Sequence, residues 1–260
     1  TEYTDRGATN GTTFYYVITA VNSMGEGARS IPASATAVFD ATTMISVPAG
    51  TFVMGANEGE SWESNEYPRH NVTLSSYQIG KYEVTNQRYV DVMNWALDNG
   101  QLVNFDGSPY SGGGTAYAGN VGMVYIHNVD CQISYSGDRF VVETRDGHSM
   151  ANYPINGITW YSAVVFCSML SIIEGLDPVY ITTGDWDRHS PLPNGYRLPT
   201  EAEWERAAAW DSSLSRHWEY GFQSDTVSSE RATYDFNNII GFTSYPYLTP
   251  VGHFNGRPGT

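Results

Sequence analysis

Several features are scarce or missing in this 260-residue sequence, and each absence excludes a class of protein. It has two cysteines, Cys131 and Cys167, which is too few for a disulfide framework. It has no run of about 18 apolar residues, so we expect no membrane span. Its 13 basic residues face 28 acidic ones, which gives a formal charge of -15. Such a surface repels nucleic acids and anionic membranes, so we expect neither as a partner.

The familiar catalytic and metal-binding motifs are missing as well. There is no His-x-His or His-Glu-x-x-His spacing, no Gly-x-Ser-x-Gly elbow, no glycine-rich phosphate loop and no Cys-x-x-Cys. The six histidines are spread along the chain: His70, His127, His148, His189, His217 and His253. Asp185, Asp187 and the carboxylates of residues 225–230 have oxygens that suit Ca²⁺. Their spacing is not that of an EF-hand, so we interpret them as solvated loop carboxylates.

Glycine and aromatic residues are plentiful, with 26 Gly, 19 Tyr and 7 Trp, whereas charged residues make up only 16% of the chain. This composition favours an irregular, loop-rich fold with aromatic anchors over a helical bundle. The length and the 41% hydrophobic content allow one large core, with or without a small additional module.

The pattern at residues 1–38 is entirely of the β type. A turn signal at Asn10 and Gly11 precedes an alternating strand over residues 14–21, and a weaker strand is predicted for residues 30–37. The amino-acid sequence of residues 9–22 and 25–30 resembles that of the last strands of a fibronectin type III domain. The alternative is a short β appendage of the main domain. Residues 39–43 are predicted to form a linker.

Three threonines mark the starts of three predicted helices. Thr200 precedes an acidic first turn, and Glu203 completes a capping box with it. Trp204 and Ala208 are four residues apart, so we expect them to pack on one face of this helix. Thr159 and Thr85 cap the other two helices, and Gly175 is expected to end the helix that begins after Thr159.

The apolar residues of these two helices recur at helical spacing. The predicted core-facing stripes are Tyr89, Val92, Met93 and Ala96 in one helix, and Trp160, Ala163, Val164, Cys167 and Leu170 in the other. Between the helices, residues 100–152 lack helical periodicity. A hairpin is expected there, turning at residues 136–138. A loop this long either faces a ligand or is a family-specific insertion, and the sequence does not separate the two.

Several stretches resemble the formylglycine-generating enzyme (sulfatase-modifying factor) family. They are VPAGTFVMG at 47–55, EYPRHNVTL at 66–74, YEVTNQRY at 82–89, PINGITWYSA at 154–163 and GYRLPTEAEWE at 195–205. The resemblance covers residues 44–260. It implies an irregular α+β fold, related to C-type lectins, with little regular secondary structure.

The same resemblance implies copper held by a cysteine pair, and calcium-binding turns, in the last third of the family's domain. Neither Cys131 nor Cys167 matches that pair, so we assign no catalytic, cofactor-binding or metal-binding residue. Cys167 is expected to be a buried structural thiol. Glu201 and Glu205 are four residues apart, as an acid/base pair would be, but capping and the helix dipole already explain them.

Three function classes follow from the resemblance. The intact protein would oxidise a cysteine of a partner sulfatase, or act as a non-haem iron enzyme of the wider group, or serve as an extracellular binding module without catalysis. The partner would be a sulfatase, another exported protein or a glycan. We expect an extracytoplasmic location. We also expect the chain to be truncated at both ends, to expose apolar surface and to fold poorly alone.

Overall fold

The computed structural model describes residues 13–23, 25–36, 43–56, 66–112, 115–124, 130–181, 186–234 and 237–255. The chain divides into two compact units, Thr1–Asp40 and Ala41–Thr260. The predicted turn at residues 10–11, the linker residues 39–42, His127 and Asp185 lie outside the described residues. None of the described helices is long and apolar enough to cross a membrane.

The first unit contains short antiparallel β-strands. They are β1 (Thr13–Tyr16), β2 (Val21–Asn22), β3 (Gly25–Glu26) and β4 (Ala33–Thr36). Strand β1 pairs with β4, and β2 pairs with β3. The single strand predicted over residues 14–21 is therefore wrong in its extent, because the chain leaves the β1 ladder after Tyr16. That this unit belongs to a fibronectin type III domain stays a prediction.

The second unit begins with two antiparallel pairs. The strands are β5 (Met44–Val47), β6 (Gly50–Met54), β7 (His70–Leu74) and β8 (Tyr77–Gly80). Strand β5 pairs with β8, and β6 pairs with β7. Phe52 on β6 is 1% exposed and meets Trp210 edge to face, at 5.9 Å between ring centroids. This contact joins the β6–β7 pair to the C-terminal part of the unit.

Helix α1 (Asn86–Asp98) begins at the predicted cap, because the Thr85 side chain accepts a hydrogen bond from the Arg88 N–H. All four residues of its predicted stripe are buried, from Tyr89 to Ala96. The Tyr89 ring stacks on Phe166, with centroids 5.1 Å apart, and its hydroxyl donates to the Met123 carbonyl. The prediction for this helix is confirmed.

Helix α2 (Trp160–Ile173) begins with a full capping box between Thr159 and Ser162, and Gly175 follows its end at φ +71°. Every residue from Val164 to Ser171 is buried, so the middle of the helix is enclosed on all sides. The prediction of a single buried stripe that includes Trp160 is wrong, because Trp160 is 52% exposed at the first turn.

The described part of residues 100–152 forms a series of short hairpins. Their strands are β9 (Ala116–Ala118), β10 (Val121–Val124), β11 (Ile133–Ser136), β12 (Arg139–Val142), β13 (Thr144–Arg145) and β14 (His148–Ser149). The predicted hairpin is confirmed, since Gly137 and Asp138 both have positive φ and connect β11 to β12 in a tight turn.

This region supplies part of the main core. Its buried apolar residues are Leu102, Tyr110, Ala116, Val121, Met123, Cys131, Ile133, Phe140 and Met150. All except Met150 pack in one cluster with α1 and α2. Phe140 is 1% exposed and stacks on Tyr110, with centroids 5.4 Å apart.

Helix α3 (Glu201–Ala209) is followed by a short hairpin of β15 (Trp210–Asp211) and β16 (Arg216–His217). The described chain beyond it has no regular strand or helix. It is tied to the turn between β13 and β14, where Arg145 donates to the Pro246 carbonyl and lies over the Phe242 ring. Small antiparallel sheets around three helices make this a mixed α+β fold.

Candidate functional site

The extended segment before α3, residues 195–200, is called the arm below, and it packs closely against α2. A Cβ atom at Gly195 would lie 2.2 Å from the Asp177 carbonyl oxygen and 2.7 Å from Ser171 Oγ, so only glycine fits. The next residue, Tyr196, donates its N–H to Ser171 Oγ, and its hydroxyl donates to Glu174 at the end of α2. Gly195 therefore fixes the arm on α2.

Arg197 and Glu203 form a bidentate ion pair, with both N–O distances at 2.6 Å. The two side chains are 19% and 11% exposed. The hydrogen bonds from Arg197, reinforced by the Thr200 N–H, hold the pKa of Glu203 below its ordinary value, although burial opposes them. The capping box with Thr200 is confirmed. Glu203 thus caps the helix and neutralises a largely buried arginine.

The other charged residues of α3 connect it to β6. Arg206 donates to the Gly50 carbonyl at 2.7 Å, and Glu205 Oε1 accepts the Gly55 N–H at 2.8 Å. His217 Nε2 lies 2.9 Å from the same Glu205 oxygen. Glu205 is therefore committed to structural contacts, whereas Glu201 is exposed. Glu205 thus helps to hold the β6 segment to the helix, and the helix dipole accounts for a carboxylate at Glu201.

The residues that α3 buries are charged, and this reverses one prediction. Glu203 and Arg206 are its buried residues, while Trp204 is 61% exposed. Trp204 therefore does not pack with Ala208 against the core. The helix turns its polar side inwards because the arm and β6 present a guanidinium group and backbone groups that need partners.

An open cleft lies between the start of α2 and the arm before α3. Its volume is about 280 Å³, and its lining residues are Trp160, Tyr180, Trp186, Asp187, Arg188, Leu198, Pro199 and Thr200. Tyr180 is buried at the base, where its hydroxyl accepts the Leu198 N–H. The cleft combines two indole rings, a phenol and two charged side chains within one concave surface.

The aromatic rings around the cleft contact one another at steep angles. Trp160 meets Tyr161 at 85° and Tyr180 at 79°, with centroids 5.2 and 6.5 Å apart. Trp186 meets Tyr161 at 61° and 5.1 Å. Edge-to-face contacts suit the ring quadrupoles. Trp160 and Tyr161 keep 52% and 48% of their surface exposed, so large aromatic surfaces remain open to a ligand.

Trp186 has φ +62°, in the left-handed region that bulky residues avoid. This conformation costs about 1–2 kcal/mol. The flanking chain holds it, because the Ile181 N–H bonds to the Asp187 carbonyl, the His189 N–H bonds to the Val179 carbonyl, and Tyr180 and Arg188 form a β-bridge. Strained residues persist where the surroundings enforce them, often at binding sites.

Asp187 and Arg188 lie beside the rings and are exposed. Neither side chain forms a hydrogen bond or an ion pair with any of the residues that the structure describes. A carboxylate only accepts hydrogen bonds, whereas a guanidinium group only donates them. The cleft therefore offers both kinds of polar partner next to aromatic surface.

A second groove, of about 350 Å³, runs along β5 and β8 and is lined by residues 46–48 and 76–78. It is the larger of the two, but it lacks a charged side chain. The Tyr77 hydroxyl in its wall already donates to the Glu203 carbonyl at 2.6 Å. We therefore take the aromatic cleft, with its free polar groups, as the candidate site.

Both cysteines are buried and unpaired, as expected for Cys167. Burial raises the pKa of Cys167 to about 12 and also raises the pKa of Cys131. Both side chains are therefore neutral thiols at pH 7, and the thiolate is the form that ligates metals and attacks electrophiles. Their surroundings are apolar core, which makes them inert.

The described histidines and acidic loops do not converge on one point. No group of three His, Cys, Asp or Glu side chains suited to a metal ion occurs among the described residues. His70 bonds to the Pro68 carbonyl, and His148 meets the Phe242 ring edge to face. Asp225, one of the oxygens considered for Ca²⁺, is paired with Arg216 at 2.6 Å.

Comparison with known proteins identifies the second unit. The profile of the sulfatase-modifying factor enzyme 1-like domain matches residues 30–257, most of the chain. The chain belongs to this family. The resemblance read from residues 44–260 is confirmed at the family level, and the match begins 14 residues earlier than that resemblance.

Relatives of this sulfatase-modifying factor family member carry very different names. A chaperone protein LppX of Paenibacillus barcinonensis is 31% identical over 169 residues, which are 58% of this chain and 43% of the relative. A hercynine oxygenase of Mycolicibacterium smegmatis is 30% identical over 223 residues, 82% and 41% of the two chains. The mouse formylglycine-generating enzyme is 24% identical over 174 residues, 63% and 39%. The chain thus spans about two fifths of each relative's length.

The copper centre that the family implies does not fit the described residues of this chain. Copper of that kind needs exposed or readily ionised thiolates, and both thiols here are neutral and enclosed in the core. The same described residues contain no group of three or more His, Cys, Asp or Glu side chains that could hold a calcium ion. We therefore derive no step through either metal.

The cleft was not predicted from the sequence. Trp160 was assigned to a buried face, and Asp187 was considered only for calcium. The sequence features that point to the cleft are local: Trp160 is next to Tyr161, and Trp186 lies between two aspartates. That these two segments face each other depends on the packing of the arm on α2, which no periodicity reveals.

Proposed function

We propose that residues 44–260 act as a ligand-binding module on the sulfatase-modifying factor scaffold, with the aromatic cleft as its binding site. One observation carries this proposal: Trp160, which is 52% exposed, and Trp186 line a cleft together with a carboxylate and a guanidinium group that have no hydrogen-bond or ion-pair partner among the described residues. Concave sites with aromatic walls and a few free polar groups are typical of ligand recognition. The relatives' names, which span a chaperone and an oxygenase, support a shared scaffold over one shared reaction.

The Trp160→Ala substitution is expected to weaken binding of any true ligand of the cleft by tenfold or more. The truncation removes a large ring, and about 1.4 kcal/mol corresponds to a tenfold change in Kd. Glycan and peptide arrays supply bound probes, and calorimetry then gives Kd for each variant.

Trp204→Ala is the matched control, because Trp204 is also exposed but does not line the cleft. Thermal unfolding checks that both variants are folded. Array probes that bind both variants as tightly as the parent protein would show that the cleft is not the binding site.

A second candidate function is favoured by the relatives named formylglycine-generating enzyme and hercynine oxygenase. In it, the intact protein is an oxygen-dependent oxidoreductase that acts on a protein cysteine of a sulfatase, or a non-haem iron enzyme. The copper and the cysteine pair would then lie outside residues 1–260. Mass spectrometry of a sulfatase peptide co-expressed with the intact protein tests sulfatase maturation, and an unmodified cysteine excludes it.

We also propose that residues 1–38 are the C-terminal part of a fibronectin type III domain and that the protein works outside the cytoplasm. The fibronectin type III assignment is supported by the sequence of residues 9–22 and by the antiparallel pairs β1–β4 and β2–β3. The pairing of such a module with a binding domain supports a location outside the cytoplasm. Cell fractionation tests it, since recovery of the intact protein only in the cytosol would contradict export.

A further inference from the structure

We infer that the ligand of the aromatic cleft is a neutral glycan, bound through one or two sugar units. This inference rests on the proposed binding function and specifies its ligand class. It follows from the shape of the cleft, from the polar groups beside its rings and from the charge of the chain.

The size of the cleft fits a small part of a longer molecule. Its volume of about 280 Å³ lies just below the ~300 Å³ at which pockets for whole small molecules begin. It is open along one side, so the rest of a chain can continue into solvent. A repeating polymer that presents one or two units at a time matches this shape.

The lining matches the two chemical faces of a sugar ring. One face carries C–H groups that pack on an indole, and Trp160 and Trp186 both line the cleft and provide indole rings of this kind. The rim of a sugar carries hydroxyl groups that both donate and accept hydrogen bonds. Asp187 accepts and Arg188 donates, and both line the cleft, so the hydroxyl groups of a bound sugar can pair with both side chains.

The charge of the protein selects against charged polymers. With 28 acidic and 13 basic residues, the chain repels polyanions such as uronic-acid or sulfated polysaccharides. A single arginine next to an aspartate does not make an anion site. A neutral glycan incurs no such repulsion, and its hydroxyls pair with both side chains.

The rigid placement of Trp186 supports recognition of a fixed ring shape. Its left-handed backbone is held by the hydrogen bonds between residues 179–181 and 187–189. Its indole also contacts the Tyr161 ring, with centroids 5.1 Å apart. A preformed site loses less conformational entropy when it binds a ligand.

The test is calorimetric titration of the full chain with neutral hexasaccharides: β-1,4-linked glucose, α-1,4-linked glucose and β-1,4-linked N-acetylglucosamine. Polygalacturonate and decaproline serve as the anionic and peptide probes. We expect at least one neutral hexasaccharide to bind, and polygalacturonate to bind at least tenfold more weakly. Trp160→Ala is expected to weaken sugar binding about tenfold or more, whereas Trp204→Ala leaves it unchanged.

Asp187→Ala keeps the test decisive if Trp160→Ala fails to fold, because Asp187 is exposed and has no partner among the described residues. We expect it to weaken sugar binding threefold or more. Decaproline binding with the same variant pattern, without sugar binding, would overturn the glycan assignment but leave the binding function standing. No binding of any probe, or sugar binding that neither Trp160→Ala nor Asp187→Ala weakens, would overturn the glycan assignment at this cleft.

Discussion

Phe140→Ala is expected to lower the free energy of unfolding of the second unit by about 3–5 kcal/mol. Phe140 is 1% exposed, and its ring stacks on Tyr110 and meets Tyr135 edge to face at 5.1 Å. Truncation removes the transfer free energy of a buried ring and leaves a cavity between β12 and α1. Urea denaturation of the full chain, followed by tryptophan fluorescence, measures the change.

Phe105→Ala is the matched control, because Phe105 lies in the same region of the chain and is 89% exposed. Removal of the Phe105 ring should change the free energy of unfolding by no more than about 0.5 kcal/mol. The comparison decides whether residues 100–152 are part of the core. Equal, small effects of both substitutions would show that the region is a peripheral insertion.

Glu203→Ala is expected to cost about 3 kcal/mol of stability. Removing one partner of a largely buried ion pair leaves the other charge without compensation. Arg197 is 19% exposed and would lose both of its 2.6 Å bonds, while the Thr200 N–H would lose its acceptor. Chemical denaturation at pH 7 gives the change in the free energy of unfolding.

Glu201→Ala is the control on the same turn of α3, since Glu201 is exposed and contributes only through the helix dipole. We expect it to cost about 0.3–1 kcal/mol. A loss for Glu203→Ala no larger than that for Glu201→Ala would mean that the ion pair does not stabilise the fold.

Glu203 also makes the stability of the protein depend on pH in a defined direction. The pKa of Glu203 is lowered in the folded protein, chiefly by Arg197, so its contribution is complete above the unfolded pKa of about 4.3. It is lost as the pH falls through the lower folded pKa. The stability difference between the parent protein and Glu203→Gln should therefore shrink as the pH falls below about 5.

The structure separates the part of the family motif that holds the scaffold together from the part that lines the cleft. Gly195 and Tyr196 hold the arm against α2, and the ion pair of Arg197 with Glu203 holds it against α3. The arm's other side, residues 198–200, forms one wall of the cleft. The motif thus positions one wall of the candidate site.

The sequence by itself determined the family, the three helix starts and the inert character of Cys167. These depend on local rules. A threonine followed by helix-forming residues caps a helix. Several sequence motifs shared with one family identify its scaffold. A cysteine on an apolar helix face is buried. The hairpin at residues 136–138 also followed from its turn residues, since Gly137 and Asp138 accept positive φ.

Only the tertiary structure decided which surfaces are buried and where the cleft lies. Trp160 and Trp204 read as core residues, yet both are exposed, because the inner positions of α3 hold Glu203 and Arg206 and the start of α2 opens onto the cleft. Residues 100–152 lack periodicity, yet the hairpins β9–β10 and β11–β12 add buried side chains to one core. Burial of this kind depends on contacts between residues that are distant in sequence, and no local pattern encodes them.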